Sequence, residues 1–597
     1  MSVGFNVRRA LCLSVSLVAL GMAAPPAFAQ ASAVPPNATE TAMYNLVQSL
    51  VKKGVVTRKD GQAMLDKFHT DLRSAPAPQP VAAATPAPVA APAPAELPAG
   101  TVRIPYVSAA VRQQIKDEVR DEVIATAKRE NWAAPNSYPT WIGHLTLFGD
   151  VRVRNESRFF DKNNELTFVN VGAINNGAPY NTGQNTTTLP PILNSTKDRN
   201  LSNFRARFGL TDQIDQDLVA TIRLASGSDN QPVSTNQTMG NYFNKDGVWL
   251  DQAFIKYTPD LGFAHASFTA GRMPNPFVKT DLVWDEDVNL DGIAVSLDHT
   301  FLDNGPGEGL NLRFTGGAFP LSYGADDFPS NATSDQKAGS GANKYVFAGQ
   351  LGADWMHDRY DLSFNAAYYD YSNVQGTPSP SCSNQAAYCL TDYSRPGYMQ
   401  KGNTLFALRN LTFPDPSDVT APQYFGLASK YEVLDLVAKG DMRLTGDIHL
   451  SLTGDYAKNL GYNAGAIQAL PIINNNETCS VQVPANSTCG GAGGTNLYKS
   501  GDTAWLTRIQ IGHPIIAHRW DWSAFVQYEY IEPDSVLDAF NDQDFHLGGT
   551  NAKGFVIGGS LGVAHNTALN VKWFSTDAIS GPPFSEDTLQ VDLSTRF

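Results

Sequence analysis

The sequence predicts an all-β protein: a 16-stranded antiparallel transmembrane β-barrel with a short N-terminal helical periplasmic segment. Three observations carry this reading. From Trp141 to Phe597 the hydrophobic period is two, the connections between alternating segments are short and long by turns, and no run of 18 or more apolar residues follows the N-terminal leader. A chain lacking such a run enters a membrane only as a closed barrel, because an open sheet leaves backbone groups unpaired in lipid. Composition agrees. Charged residues are only 17% of the 597, while Gly (49), Phe (30) and Tyr (22) are plentiful, as a two-faced sheet in lipid requires. A net charge of −14 argues against a nucleic-acid partner.

Residues 1–29 read as an export signal: Arg8-Arg9, an apolar run from Ala10 to Met22, then Ala27-Phe28-Ala29 before Gln30. The run has 13 residues, and a membrane anchor needs about 20. Residues 30–74 carry a helical module, with Leu46, Val47 and Leu50 before a break at Gly54 and a second pattern at Met64, Leu65 and Phe68. Residues 75–99, almost entirely Ala and Pro, form an extended spacer. Within 100–135, Val107, Val111, Ile115, Val119 and Val123 recur every four residues on a charged helix. One apolar stripe of that kind suits a self-associating coiled coil.

The barrel, 141–597, follows from sixteen alternating segments near 143–156, 202–211, 217–225, 248–258, 265–272, 291–298, 309–318, 344–355, 359–371, 429–443, 446–457, 503–512, 519–531, 553–563, 567–575 and 587–597. In the first, Leu145, Leu147, Val151 and Val153 alternate with His144, Thr146, Asp150 and Arg152. Connections such as 212–216, 444–445 and 564–566 are brief, and those between, such as 157–201, 372–428 and 458–502, run long. Tight turns on one side and large loops on the other are the mark of an outer-membrane barrel. An even count lets the first and last strands close antiparallel.

Parity assigns the lumen. With the apolar face in lipid, Arg152, Arg154, Arg205, Arg207, Arg223 and Arg313 point inward from the first seven strands. Lys256, Lys439, Arg443, Arg508 and Lys572 do so too, with Asp435, Asp441, Asp455, Asp521, Glu529 and Asp592. The string 271–292, GRMPNPFVKTDLVWDEDVNLDG, bends at Pro274 and Pro276. It concentrates Asp281, Asp285, Glu286, Asp287 and Asp291 against Lys279 alone. The sequence places this loop inside the barrel, its carboxylates facing Arg152, Arg154, Arg205 and Arg207 across a narrow, wet constriction. Asp285, Asp287, Asn289 and Asp291, spaced by two, also suggest calcium, but positions six and twelve of that loop pattern are Leu290 and Ser296 rather than Gly and Glu. No metal or cofactor is therefore expected.

Cys12 leaves with the signal. The remaining cysteines fall as Cys382/Cys389 and Cys479/Cys489, enclosing six and nine residues, and each pair is expected to close a small disulfide loop.

Several motifs together resemble the putative porins of Gram-negative outer membranes. They are IPYVSAAVRQQIKDEVRDEV (104–123), AKRENWAAPN (127–136), LFGDVRVRNE (147–156), GRMPNPF (271–277), DLVWDEDVNLDG (281–292) and the C-terminal Phe597. The resemblance implies an outer-membrane location and a homotrimer embedded in lipid. It further implies a water-filled channel for passive diffusion of small hydrophilic solutes and ions, with the third long loop folded into the lumen. Two rival readings remain. The N-terminal helices and spacer would suit a structural tether or adhesin in contact with peptidoglycan. An outer-membrane hydrolase would need a nucleophile beside His144, His449 or His546, and no spacing supplies one, so no enzyme is expected.

Overall fold

The computed structural model describes residues 140–180, 190–262, 264–305, 308–324, 343–383, 390–412, 422–475 and 500–597. Each of the sixteen alternating segments is a strand. In chain order they are β1 Leu145–Phe160, β2 Arg199–Asp215, β3 Leu218–Ala225, β4 Trp249–Tyr257, β5 His265–Pro274, β6 Asn289–Gly305, β7 Glu308–Ser322 and β8 Lys344–His357. There follow β9 Tyr360–Ser372, β10 Tyr431–Thr445, β11 Ile448–Asn459, β12 Thr503–Gly512, β13 Trp522–Ile531, β14 Ala552–Ala564, β15 Thr567–Ala578 and β16 Ser585–Arg596. Consecutive strands pair antiparallel throughout. β1 also pairs with β16, from Asp150↔Arg596 to Phe160↔Glu586, which closes the barrel and leaves no free edge. A two-residue piece, Gln237–Thr238, adds to β2 at the long-loop end. The regions 1–29, 30–74, 75–99 and 100–135, and Cys389, Cys479 and Cys489, lie outside the described residues. Cys382 begins a two-residue strand, Cys382–Ser383, paired parallel with Leu411–Thr412.

The period of two sorts side chains as parity requires. Leu147, Val153, Phe208, Ile255, Phe364 and Val526 point outward and are 46–58% exposed, a continuous apolar surface that only lipid covers. On the opposite parity Arg152, Arg154, Arg205, Asp435, Gln527 and Glu529 are buried inside.

The interior is not uniformly polar. Towards the long-loop end Phe319 (β7), Val346 (β8), Tyr369 and Tyr371 (β9) and Val433 (β10) also face inward, packed into one core with the loop residues Phe277, Leu282, Trp284, Phe425, Val536 and Phe545. Alternation does not reveal this. In Tyr368-Tyr369-Asp370-Tyr371 it is Tyr369 and Tyr371 that are buried inside, while Asp370 shares the outward parity of Tyr368, the reverse of what sending the polar member inward predicts.

Two glycines mark where chain leaves the wall. Gly271 (φ +119) on β5 lies opposite Gly292 (φ +141) on β6, at the base of the loop between these strands. A Cβ on Gly271 would stand 2.3 Å from the Ala253 carbonyl oxygen, and one on Gly292 2.2 Å from that of Ala318. Left-handed backbone at both positions is open to glycine and costly for other residues. The pair tightens the hairpin just before it turns into the barrel. β5 extends to Pro274 and β6 begins at Asn289, so the loop is 275–288, two residues shorter at each end than the sequence suggests.

Candidate functional site

The loop 275–288 folds inside the barrel and is held at two ends by different physics. Its apolar end is Phe277 and Trp284. Trp284 is fully buried, with ring centroids 5.5 Å from Tyr369, 6.1 Å from Tyr371 and 5.4 Å from Phe540. Phe277 meets Tyr369 and Phe319 edge-on at 5.4 and 6.0 Å. The Thr280 hydroxyl donates to the Asp455 carboxylate on β11. The charged end meets β1 and β2 directly. Arg207 lies 2.9 Å and Arg205 3.4 Å from Asp287 Oδ1, while Glu286 Oε1 is 3.3 Å from Arg205 and 3.9 Å from Arg152. Asp150 on β1 joins the same network, 3.0 Å from Arg205 and 2.6 Å from Arg207. Asp287 Oδ2 accepts in addition from the Thr235 amide and hydroxyl.

The residues that parity and composition select therefore divide. Asp287, Glu286, Arg152, Arg205 and Arg207 come together, with loop carboxylates 2.9–3.9 Å from wall guanidiniums. Asp285 turns away: Oδ1 accepts from the Asp287 amide and Oδ2 from the Gln543 amide, so it orders backbone. The Asp281 carbonyl accepts from the Asp542 amide at 3.0 Å. Asp291 is on the outer face of β6, 3.1 Å from Arg272 on β5, and does not join the loop carboxylates. Arg154 leaves the set as well. It is clasped by Asp592 on β16 (2.8 and 3.0 Å) and by Asp544 (2.9 and 3.0 Å). Arg223 pairs with Asp251 at 2.6 Å, and Arg313 with Asp354 at 3.0 Å. The four side chains of the calcium pattern also diverge, since Asn289 bonds Asp251 and Gln252.

Loop 532–551 is a packing partner of the inward loop that the sequence reading missed. It meets 275–288 backbone to backbone, the Asp285 amide donating to the Phe540 carbonyl at 2.7 Å. A third loop, 373–430, is tied to it: Asn403 donates to the carbonyls of Pro533 (2.7 Å) and Val536 (2.9 Å), and Gln400 to that of Asp538 (2.8 Å). Apolar residues in a long connection, Val536, Leu537, Phe540 and Phe545, were the available signal, because a loop facing water has no use for them.

This packing sets the protonation of the loop acids. Burial, reinforced by Asp281 and Asp544, pushes Asp542 up to about 8, and burial with Asp534 raises Asp538 to about 7. Burial works the same way on Asp544, but Arg154, Lys572 and Arg152 overcome it and hold that carboxylate well below its ordinary range. Asp542 and Asp538 thus keep protons in the packed loops at pH values where a free carboxyl, near about 4, has lost its own. Loop packing is fully supported below that point and weakens as pH rises towards about 7. Lys401, which burial lowers to about 7, contributes with the opposite sign only above that window. Hydrogen-exchange protection of 532–551, corrected for intrinsic rates, is expected to fall between about pH 4 and 7. The fall should be shallower in Asp542→Asn, and a pH-independent protection would reject the assignment.

No curated protein matches the chain. Among solved structures, the outer membrane channel DcaP of Acinetobacter baumannii is 9% identical over 76% of this chain and 97% of its own, with a TM-score of 0.34. OprB of Pseudomonas putida is 11% identical over 76% and 94%, with a TM-score of 0.37. Salmonella typhi OmpF, in complex with daunomycin, is 10% identical over 76% and 97%, with a TM-score of 0.35. The family described as "Putative porin" matches residues 40–597, which takes in every strand of the barrel and the inward loop. The chain belongs to this family of Gram-negative outer-membrane barrels.

Proposed function

We propose that the protein is a water-filled channel through which small hydrophilic solutes and ions diffuse passively across the outer membrane. The supporting observation is the loop 275–288, drawn into a closed, lipid-faced barrel and pinned to its basic wall by Asp287 and Glu286. A wall-pinned loop narrows the lumen on one side and keeps its own carboxylates from collapsing into the remaining passage. Association as a homotrimer belongs to the same proposal. It draws on the Val107–Val123 stripe, which a solitary helix would leave in water. Purified full-length protein added to planar bilayers is expected to produce stepwise currents, with closures grouped in threes. Absence of any current overturns the channel, and closures that occur singly overturn the trimer.

A further inference from the structure

At the short-turn end some strands are joined by pieces as brief as Asp358-Arg359, but β12 and β13 are joined by 513–521, HPIIAHRWD. This connection is built rather than slack. The Asp521 carboxylate accepts from the amides of Ala517 (3.0 Å) and His518 (2.7 Å), which closes the turn on itself. The turn then lies over the hairpin of β14 and β15. The Asn566 amide donates to the Ala517 carbonyl at 2.8 Å, and the Arg596 guanidinium to that of Ile516 at 3.4 Å. Gly562 of β14 admits the His518 carbonyl, which a Cβ there would meet at 2.0 Å. Trp520 is fixed in the left-handed region (φ +78), its amide donating to the Gly562 carbonyl at 2.8 Å. That conformation is costly for a bulky side chain and persists only where the surroundings over-determine it.

What the turn holds out is apolar and basic together. Trp520 is 65% and Ile515 67% exposed, and Trp522 (41%), paired with Leu561 on β14, carries the lipid-facing surface up to the turn. The Arg519 guanidinium lies 4.8 Å from the centroid of the Trp520 ring, a cation–π contact that holds the two together. His518, next in sequence, has its ring 6.1 Å from that of His565 in the neighbouring turn. The one acid of the turn, Asp521, is taken up by the two amides and stands 3.6–3.7 Å from His518 and His513. Among the described residues, Arg519 forms no ion pair. Short turns of an outer-membrane barrel face the periplasm. An indole, a guanidinium and two imidazoles therefore stand at the depth of the inner-leaflet headgroups, where amphipathic rings are at home.

We infer that the turn 513–521, with His565, is a binding site for an anionic phospholipid of the inner leaflet. Its phosphate diester sits on Arg519, and its acyl chains run along Trp520 and Trp522. The guanidinium presents a planar fork matched to phosphate oxygens, and the imidazoles of His518 and His565 add N–H donors. Continuity with the lipid-facing surface makes the occupant a lipid rather than a soluble partner, and a choline headgroup is disfavoured because it brings a second cation to Arg519. The inference does not depend on the channel reading. Native mass spectrometry of the full-length protein in mild detergent, titrated with phosphatidylglycerol or phosphatidylcholine at neutral pH, is the test. The wild type is expected to retain phosphatidylglycerol in preference, and Arg519→Gln to lose about tenfold in apparent affinity for it. Trp520→Gly should also lose retention, yet leave the unfolding temperature unchanged, because glycine accepts φ +78 without strain. Equal retention of the two lipids by the wild type, or undiminished retention of phosphatidylglycerol in Arg519→Gln, overturns the site. A lower unfolding temperature in Trp520→Gly shows an indole that serves the fold, and overturns its assignment to lipid. A change in subunit number at constant lipid count assigns the turn to contact between copies of the chain and overturns the inference as well. Heat-modifiable migration reports insertion of each variant. Should one fail to insert, the other is read alone, and unchanged retention there overturns the site.

Discussion

Asp287→Asn should release the inward loop from the barrel wall and raise single-channel conductance, with added open-state noise. The side chain is 1% exposed and accepts from Arg205, Arg207 and Thr235 at once. Asn preserves its shape, yet it removes the charge and turns an amide donor or a weaker acceptor towards two guanidiniums. Breaking one partner out of a buried ion pair typically costs about 3–5 kcal/mol. Because Asp150 remains for both arginines, the lower end of that range is the appropriate expectation. The barrel should still assemble, since Asp287 makes no strand pairing. Hydrogen exchange across 275–288 reports the release directly. Unaltered exchange together with unaltered conductance would show that the ion pairs do not hold the loop.

Trp284→Ala attacks the other end. A fully buried tryptophan packed on Tyr369, Tyr371 and Phe540 loses about 3–5 kcal/mol when truncated, and most of that loss falls on the contact between 275–288 and 532–551. Both loops should become protease-sensitive together, because the Asp285–Phe540 and Asp542–Asp281 backbone bonds depend on the same packing. The sixteen strand pairings should survive, visible as unchanged heat-modifiable migration. If only one loop becomes sensitive, the two do not behave as a unit and the shared core is overstated.

The barrel was legible because strands in lipid obey a strict rule. On β13, Trp522 and Val526 face out while Gln527 and Glu529 face in, as the alternation in 520–530 requires. The inward loop was legible from composition: five carboxylates in a proline-bent connection need cations nearby. The role of 532–551 was not, and the reason lies in sequence distance. Asp544 and Arg154 are 390 positions apart, and nothing local in either segment encodes their meeting. The fate of Asp291 was also hidden. The positive-φ glycines at 271 and 292 accompany a break in side-chain direction, with Asn289 bonded inside and Asp291 outside, and simple counting by twos does not follow chain through such a kink.

Period two and alternating gap lengths were sufficient for the closed sixteen-stranded sheet, its lipid face and the inward direction of the basic residues. Those features depend on local geometry repeated along the chain, and each strand carries its own copy of the signal. Which charges are neutralised, and which stay free, depends instead on register and on loops arriving from remote positions. Arg154 and Arg508 read alike in the alternation. One is clasped by Asp592 and Asp544, while the other rests on Phe525 and, among the described residues, forms no ion pair. Electrostatic attraction between side chains falls with distance and rises with burial, and both are set only when the barrel closes and its loops fold in.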